Sequence, residues 1–143
     1  MKKLLKRITA SQPASNILDI SLFLFRVLLS IELMMAHGLK KIGIGVAEPE
    51  QIPNPLHFPQ EFNDLFAIAA NLIFPIFVIL GLFTRLSVLP SLAVTLTGYF
   101  LLHWNDALLI KDGPFMYSLC YLLLLVLGPG RFSLDYFINK KLQ

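Results

Sequence analysis

Chemistry has few places to sit in this chain, and most of them lie in one stretch. Residues 17–41, ILDISLFLFRVLLSIELMMAHGLKK, set Arg26, Glu32, His37, Lys40 and Lys41 on an apolar background. A guanidinium holds oxygens in a planar fork, and an imidazole gives or takes a proton near neutral pH. That combination suits the holding of an oxygen-bearing head group together with proton exchange. At roughly 100° per residue, Asp19, Arg26, Ser30, His37 and Lys41 share a helical stripe about 60° wide. Glu32 points about 120° away from Arg26, so the two are not a pair on one helix.

Further candidates lie downstream. Asn71 falls inside a second apolar segment, where an interhelical hydrogen bond is worth about 1 kcal/mol. Tyr117 and Tyr121 lie on one edge of the last apolar segment, and His103 opens the connection before it. The histidines His37, His57 and His103 have no helical partner four residues away, so their spacing proposes no metal site. The single cysteine, Cys120, excludes an internal disulfide and a CxxC pair, and it reads as a small packing residue.

The elements that must position these groups follow from hydropathy. The chain has 143 residues, 56% of them hydrophobic and 15% charged, with a mean hydropathy of +0.70. Those values belong to membrane proteins rather than soluble domains. A spanning helix needs about 20 mainly apolar residues; 17–36 supplies that length, and further spans are read at 65–83, 86–102 and 114–127. The prediction is an all-α, four-helix transmembrane bundle forming a single domain over 1–143. The first span is expected to remain uncleaved, because it is too long and too charged for a signal sequence.

A charge near mid-bilayer costs at least ~2.5–3.5 kcal/mol, so Arg26, in the middle of the first span, must be covered by other helices. It serves there either as a clamp bonded to carbonyls or a carboxylate, or as the anchor of a polar interior pocket. Residues 37–64 form a long outer connection rich in proline and glycine, expected to fold as a lid over the bundle's mouth. Pro75 is expected to kink the second span, and Pro114 to open the fourth. Ser87, Ser91 and Thr95 recur at close-packing spacing. Residues 128–143 carry apolar and basic residues suited to the headgroup layer.

Positive charges orient the bundle. With four spans, Lys2, Lys3, Lys6, Arg7, Arg85, Arg131, Lys140 and Lys141 fall on one side, against Lys40, Lys41 and Lys111 on the other. The positive-inside rule then puts both termini in the cytoplasm. The net charge of +3 sits at segment ends rather than on one face, which argues against nucleic acid as a partner.

The order of features resembles the DoxX family of small bacterial membrane proteins. The resemblance rests on an arginine in the first span followed by HGLKK (37–41), the GLFTR turn (81–85) and GPGRFSLD (128–135) after the fourth span. Arg26, His37, Gly38, Lys40 or Lys41, Gly81, Arg85, Gly130 and Asp135 match its pattern. The resemblance implies a multi-pass protein of the bacterial inner (plasma) membrane, associated with redox processes. In some members these involve quinone as acceptor or thiol-handling complexes. Members often carry a glutamate where Asn71 stands here, and another near Phe115 or Met116, which leaves Glu32 as the intramembrane acid.

Two classes of function follow. One is a redox-associated membrane subunit whose pocket binds a quinone. In that reading Arg26 holds a head-group oxygen, His37 relays a proton, and Glu32 or Asn71 completes the pocket, with Lys40, Lys41, His103, Tyr117 and Tyr121 as further ligand candidates. No haem, flavin, iron–sulfur or nicotinamide motif is present, so electrons would pass through the quinone or a soluble oxidoreductase partner. The other class is a non-catalytic binding or transport protein for a hydrophobic or anionic solute, with a homo-oligomer built through the Ser87–Ser91–Thr95 face. A scaffold or assembly role, with Arg26 only fixing the fold, is the plainest variant.

Overall fold

The computed structural model describes residues 16–142, so Lys2, Lys3, Lys6 and Arg7 lie outside the described residues. Every regular element within that range is helical. Helix α1 (residues 16–41) begins as Asn16–Leu33, widens into a π turn at Met34–Gly38 and closes with Leu39–Lys41. A loop over 42–59 leads to α2 (Gln60–Leu80), then α3 (Thr84–Leu102), α4 (Leu108–Leu127) and a short α5 (Leu134–Leu142). Helices α2, α3 and α4 are long and apolar enough to cross a membrane. Helix α1 is as long, but it carries Asp19, Arg26 and Glu32 in its first segment.

Each long helix packs on its neighbour in sequence, most extensively α3 on α4, whereas α1 meets α4 only sparsely. Leu33, Val78, Val88, Leu92, Tyr121 and Leu124 form the core. Large apolar side chains such as Leu28, Leu65, Leu86, Leu109 and Val126 face outward. A soluble protein rarely exposes so much contiguous apolar surface, and a bilayer would cover it.

The helix boundaries depart from the sequence reading at several ends, among them the end of α2, which stops at Leu80 rather than 83. Helix α1 runs through HGLKK, and α2 starts at Gln60, before the expected 65. Helix α3 begins at Thr84 rather than 86. Helix α4 starts at Leu108, which puts Pro114 inside it. A proline withholds one backbone donor, but packing against neighbours can carry the helix past it. Here the exposed Leu108, Leu109 and Ile110 extend the apolar surface.

Pro75 does disturb α2, by way of a π turn at Ala69–Ile73. There the Phe74 amide reaches back to the Ala69 carbonyl, which leaves the Ala70 carbonyl without its helical donor. The Ser91 hydroxyl supplies one at 2.6 Å. Pro75 has no amide to give Asn71, and the freed Asn71 carbonyl faces the α-carbon of Gly38, where an added Cβ would lie 2.6 Å away. The α1–α2 crossing therefore depends on having no side chain at position 38.

Ser87, Ser91 and Thr95 are all buried, and Thr95 accepts a hydrogen bond from Ser118 at 2.9 Å. The expected oligomer face is consumed within the chain, because α2 and α4 pack on it. Between α2 and α3, Gly81 at φ 68° ends α2. The Leu82 amide bonds the Phe77 carbonyl and the Gly81 amide the Val78 carbonyl, the paired bonds of a Schellman motif.

Candidate functional site

Arg26 lies at one end of the bundle, and five of the other candidate residues gather at the opposite end. Arg26 is 1% exposed, and its guanidinium is level with the ends of α2 and α4 rather than half-way along them. Its Nη1 donates to the Pro129 carbonyl at 2.6 Å, and its Nη2 donates to the Phe132 carbonyl. An added Cβ on Gly81 would lie 2.6 Å from Nη1, so glycine there serves both the turn and the arginine. The 128–135 stretch is held further by Asp135, which accepts from the Phe83 amide at 2.7 Å and the Thr84 amide at 2.9 Å. These are the orphan donors at the start of α3, and a carboxylate is favoured there by the helix dipole. Asp19 accepts from the Arg131 amide at 3.2 Å. Arg26, Gly81, Gly130 and Asp135 thus build one clasp that fastens the tail under the bundle.

At the other end lies a chamber of about 410 Å³. It exists because α1 stops short. Gly38 packs beside Asn71, and α1 ends at Lys41, whereas from Asn71 back to Gln60 helix α2 rises a further ~16 Å. The 42–59 loop fills the place that α1 vacates. Asn54 ties the loop to Phe58 through its carbonyl at 2.6 Å and its amide at 3.1 Å. Gln60 reaches Asp64 at 2.8 Å, Asn63 holds the Pro53 carbonyl at 3.2 Å, and Lys41 faces Glu50 at 3.7 Å.

His37, Lys41, Asn71, His103 and Tyr117 all line this chamber. Arg26, Glu32, Lys40 and Tyr121 are outside the lining. Glu32 and Lys40 are exposed on α1, and Tyr121 is wholly buried in the core below. The His37 ring stands edge-on to Tyr117, with centroids 5.4 Å apart. His103 is oriented by Asp106 at 2.7 Å. Asn71 is 2% exposed, and its Oδ1 has no hydrogen-bond partner among the described residues. The remaining wall is apolar, with Phe58, Phe62, Phe66 and Leu56 among its residues.

Sequence reasoning missed the aromatic wall and the role of the π turns. The three such turns among the described residues, at Met34–Gly38, Ala69–Ile73 and Gly98–Leu102, all contribute lining residues: His37, Asn71, and Gly98 with Leu102. Gly38 and Pro75 mark the first two turns in the sequence. Among the described residues no three His, Cys, Asp or Glu side chains come close enough to hold a metal ion. The chamber's donor set of imidazole, amide, ammonium and phenol suits an oxygen-bearing organic molecule better.

Apolar helices around a lidded, sparsely polar chamber define a helical membrane protein. Residues 21–104, more than half of the chain, match the DoxX family model, and the chain belongs to the DoxX family. The matched region covers α2, α3 and most of α1, with Arg26 and Gly81 of the clasp, and ends before α4 and the 128–135 stretch. The chain is also 30% identical over 96 residues to an uncharacterized protein of Haemophilus influenzae, and the alignment covers 64% of each chain. The chain thus spans just under two thirds of that relative's length. No solved structure matches it.

Proposed function

We propose that this DoxX protein crosses the bacterial inner membrane four times, with both termini cytoplasmic, and binds a quinone in the lidded chamber as the membrane partner of a soluble oxidoreductase. The observation that carries this reading is the buried Asn71 carboxamide at the chamber floor, whose Oδ1 has no hydrogen-bond partner among the described residues. Buried polar groups are nearly always hydrogen-bonded. A side-chain amide offers N–H to a quinone oxygen and C=O to a quinol hydroxyl, so it serves both redox forms. His37 supplies a second polar contact and a proton store. The Phe62, Phe66 and Tyr117 rings flank a planar head group. A volume of about 410 Å³ lies in the usual range for small-molecule sites, roughly 300–1,000 Å³. π turns are frequent at functional sites, and here three converge.

The test is equilibrium binding of a short-tailed benzoquinone to the full chain in lipid nanodiscs. His37→Leu and Asn71→Leu are each expected to weaken binding about tenfold, the loss of roughly 1.4 kcal/mol. Unchanged affinity in both folded variants retires the reading.

A second reading uses the same chamber to carry an anionic solute, and Lys41 in its lining favours it. Solute uptake by proteoliposomes that His37→Leu abolishes, without any quinone binding, selects that reading instead.

A further inference from the structure

The clasp end of the bundle carries a second and larger recess, an open groove of about 830 Å³. It lies where α1 and α4 fail to close on each other. Leu22 and Phe25 of α1 form one wall, Leu123 and Leu127 of α4 the other, and Arg85 and Arg131 stand at its mouth. An apolar trough that ends in two guanidinium groups matches a molecule with acyl chains and an anionic head.

The charges around the mouth are not equivalent. Asp135 also borders the groove, but its carboxylate is occupied by the Phe83 and Thr84 amides and the Thr84 hydroxyl. Asp19 sits 3.5 Å from the Arg131 Nε, so that arginine is largely offset. Arg85 has no carboxylate partner among the described residues; its guanidinium donates only to the Val126 carbonyl, at 3.3 Å. Arginine presents five donors in a fork that matches phosphate oxygens, so Arg85 keeps donors to spare. Among the described residues, Arg85 thus faces the groove as a cation with no carboxylate against it.

We propose that this groove binds one anionic phospholipid, with its phosphate held by Arg85 and Arg131 and its acyl chains laid along Leu22, Phe25, Leu123 and Leu127. The lipid would complete the α1–α4 seam that the protein leaves open. Basic pockets between membrane helices are a recurrent way of holding anionic headgroups. The proposal does not rest on the quinone chamber, which lies at the opposite end of the bundle.

The experiment is native mass spectrometry of the full chain released from micelles with equal amounts of phosphatidylglycerol and phosphatidylcholine. One phosphatidylglycerol is expected to stay on each chain in preference to phosphatidylcholine. Arg85→Gln is expected to cut that retention roughly fivefold, the usual contribution of one basic residue to anionic lipid binding. Leu127→Trp fills the trough without altering a charge, and is expected to lower retention of either lipid. The proposal is overturned if the two lipids are retained equally, or if retention is unchanged in the folded Leu127→Trp variant. It is equally overturned if inorganic phosphate displaces the lipid, since the groove would then read a free anion.

Discussion

Gly38 of α1 lies against the backbone carbonyl of Asn71 in α2, so close that a methyl group on Gly38 would come within 2.6 Å of that oxygen and 2.5 Å of the Leu72 side chain. The carbonyl is free to face Gly38 because Pro75 withholds the amide that would otherwise tie it into its helix. Gly38→Ala is therefore expected to cost about 1–3 kcal/mol, the usual penalty for overpacking. Thermal unfolding in detergent checks it; an unchanged midpoint would mean that the crossing is looser than described.

Ser91 closes the same π turn from the other side, donating to the Ala70 carbonyl at 2.6 Å. Ser91→Ala leaves that buried carbonyl without a donor, at a cost of about 1–3 kcal/mol. Ser91→Thr keeps the hydroxyl and should lose less. Chemical denaturation of both variants, compared with the parent chain, measures the difference.

Arg26 bonds carbonyls of the tail and lines no part of the chamber. Arg26→Gln removes two charge-assisted hydrogen bonds and is expected to destabilise the chain by roughly 3–5 kcal/mol. The tail should loosen first, so limited trypsin cleavage at Arg131 is expected to accelerate. Quinone affinity of the folded fraction should stay at the parent value. Loss of affinity with an intact, trypsin-resistant tail would return Arg26 to the ligand.

Asn71→Leu separates stability from binding. Replacing an unpaired buried polar group by an apolar one of similar shape is nearly neutral or stabilising, so the melting temperature is expected to hold or rise while quinone binding weakens. A variant that both melts earlier and binds normally would make Asn71 a packing residue.

Helical class, membrane character and family were legible in the residues themselves, because hydropathy and the HGLKK and GLFTR pieces are local in the chain. Angular position on α1 grouped Arg26 with His37 as one stripe, but Arg26 is buried and His37 exposed, with a π turn at Met34–Gly38 between them. A stripe does not say how far apart along the axis its members find neighbours, and the two ended at opposite ends of the bundle. The aromatic wall of the chamber was hidden because Phe58 belongs to the 42–59 loop and Phe62 and Phe66 to α2, and only the folding of that loop against α2 brings the three rings to one cavity.

Sequence alone determined that a buried arginine must be covered, since an uncovered cation in an apolar span is too costly. Only the tertiary structure decided what covers it: carbonyls of Pro129 and Phe132, more than a hundred positions away in the chain. Those oxygens are free because Gly128 and Gly130, at φ 78° and 73°, interrupt the helix there. Backbone groups released by a break take whatever donor the packing brings, and no periodicity in the chain records that choice.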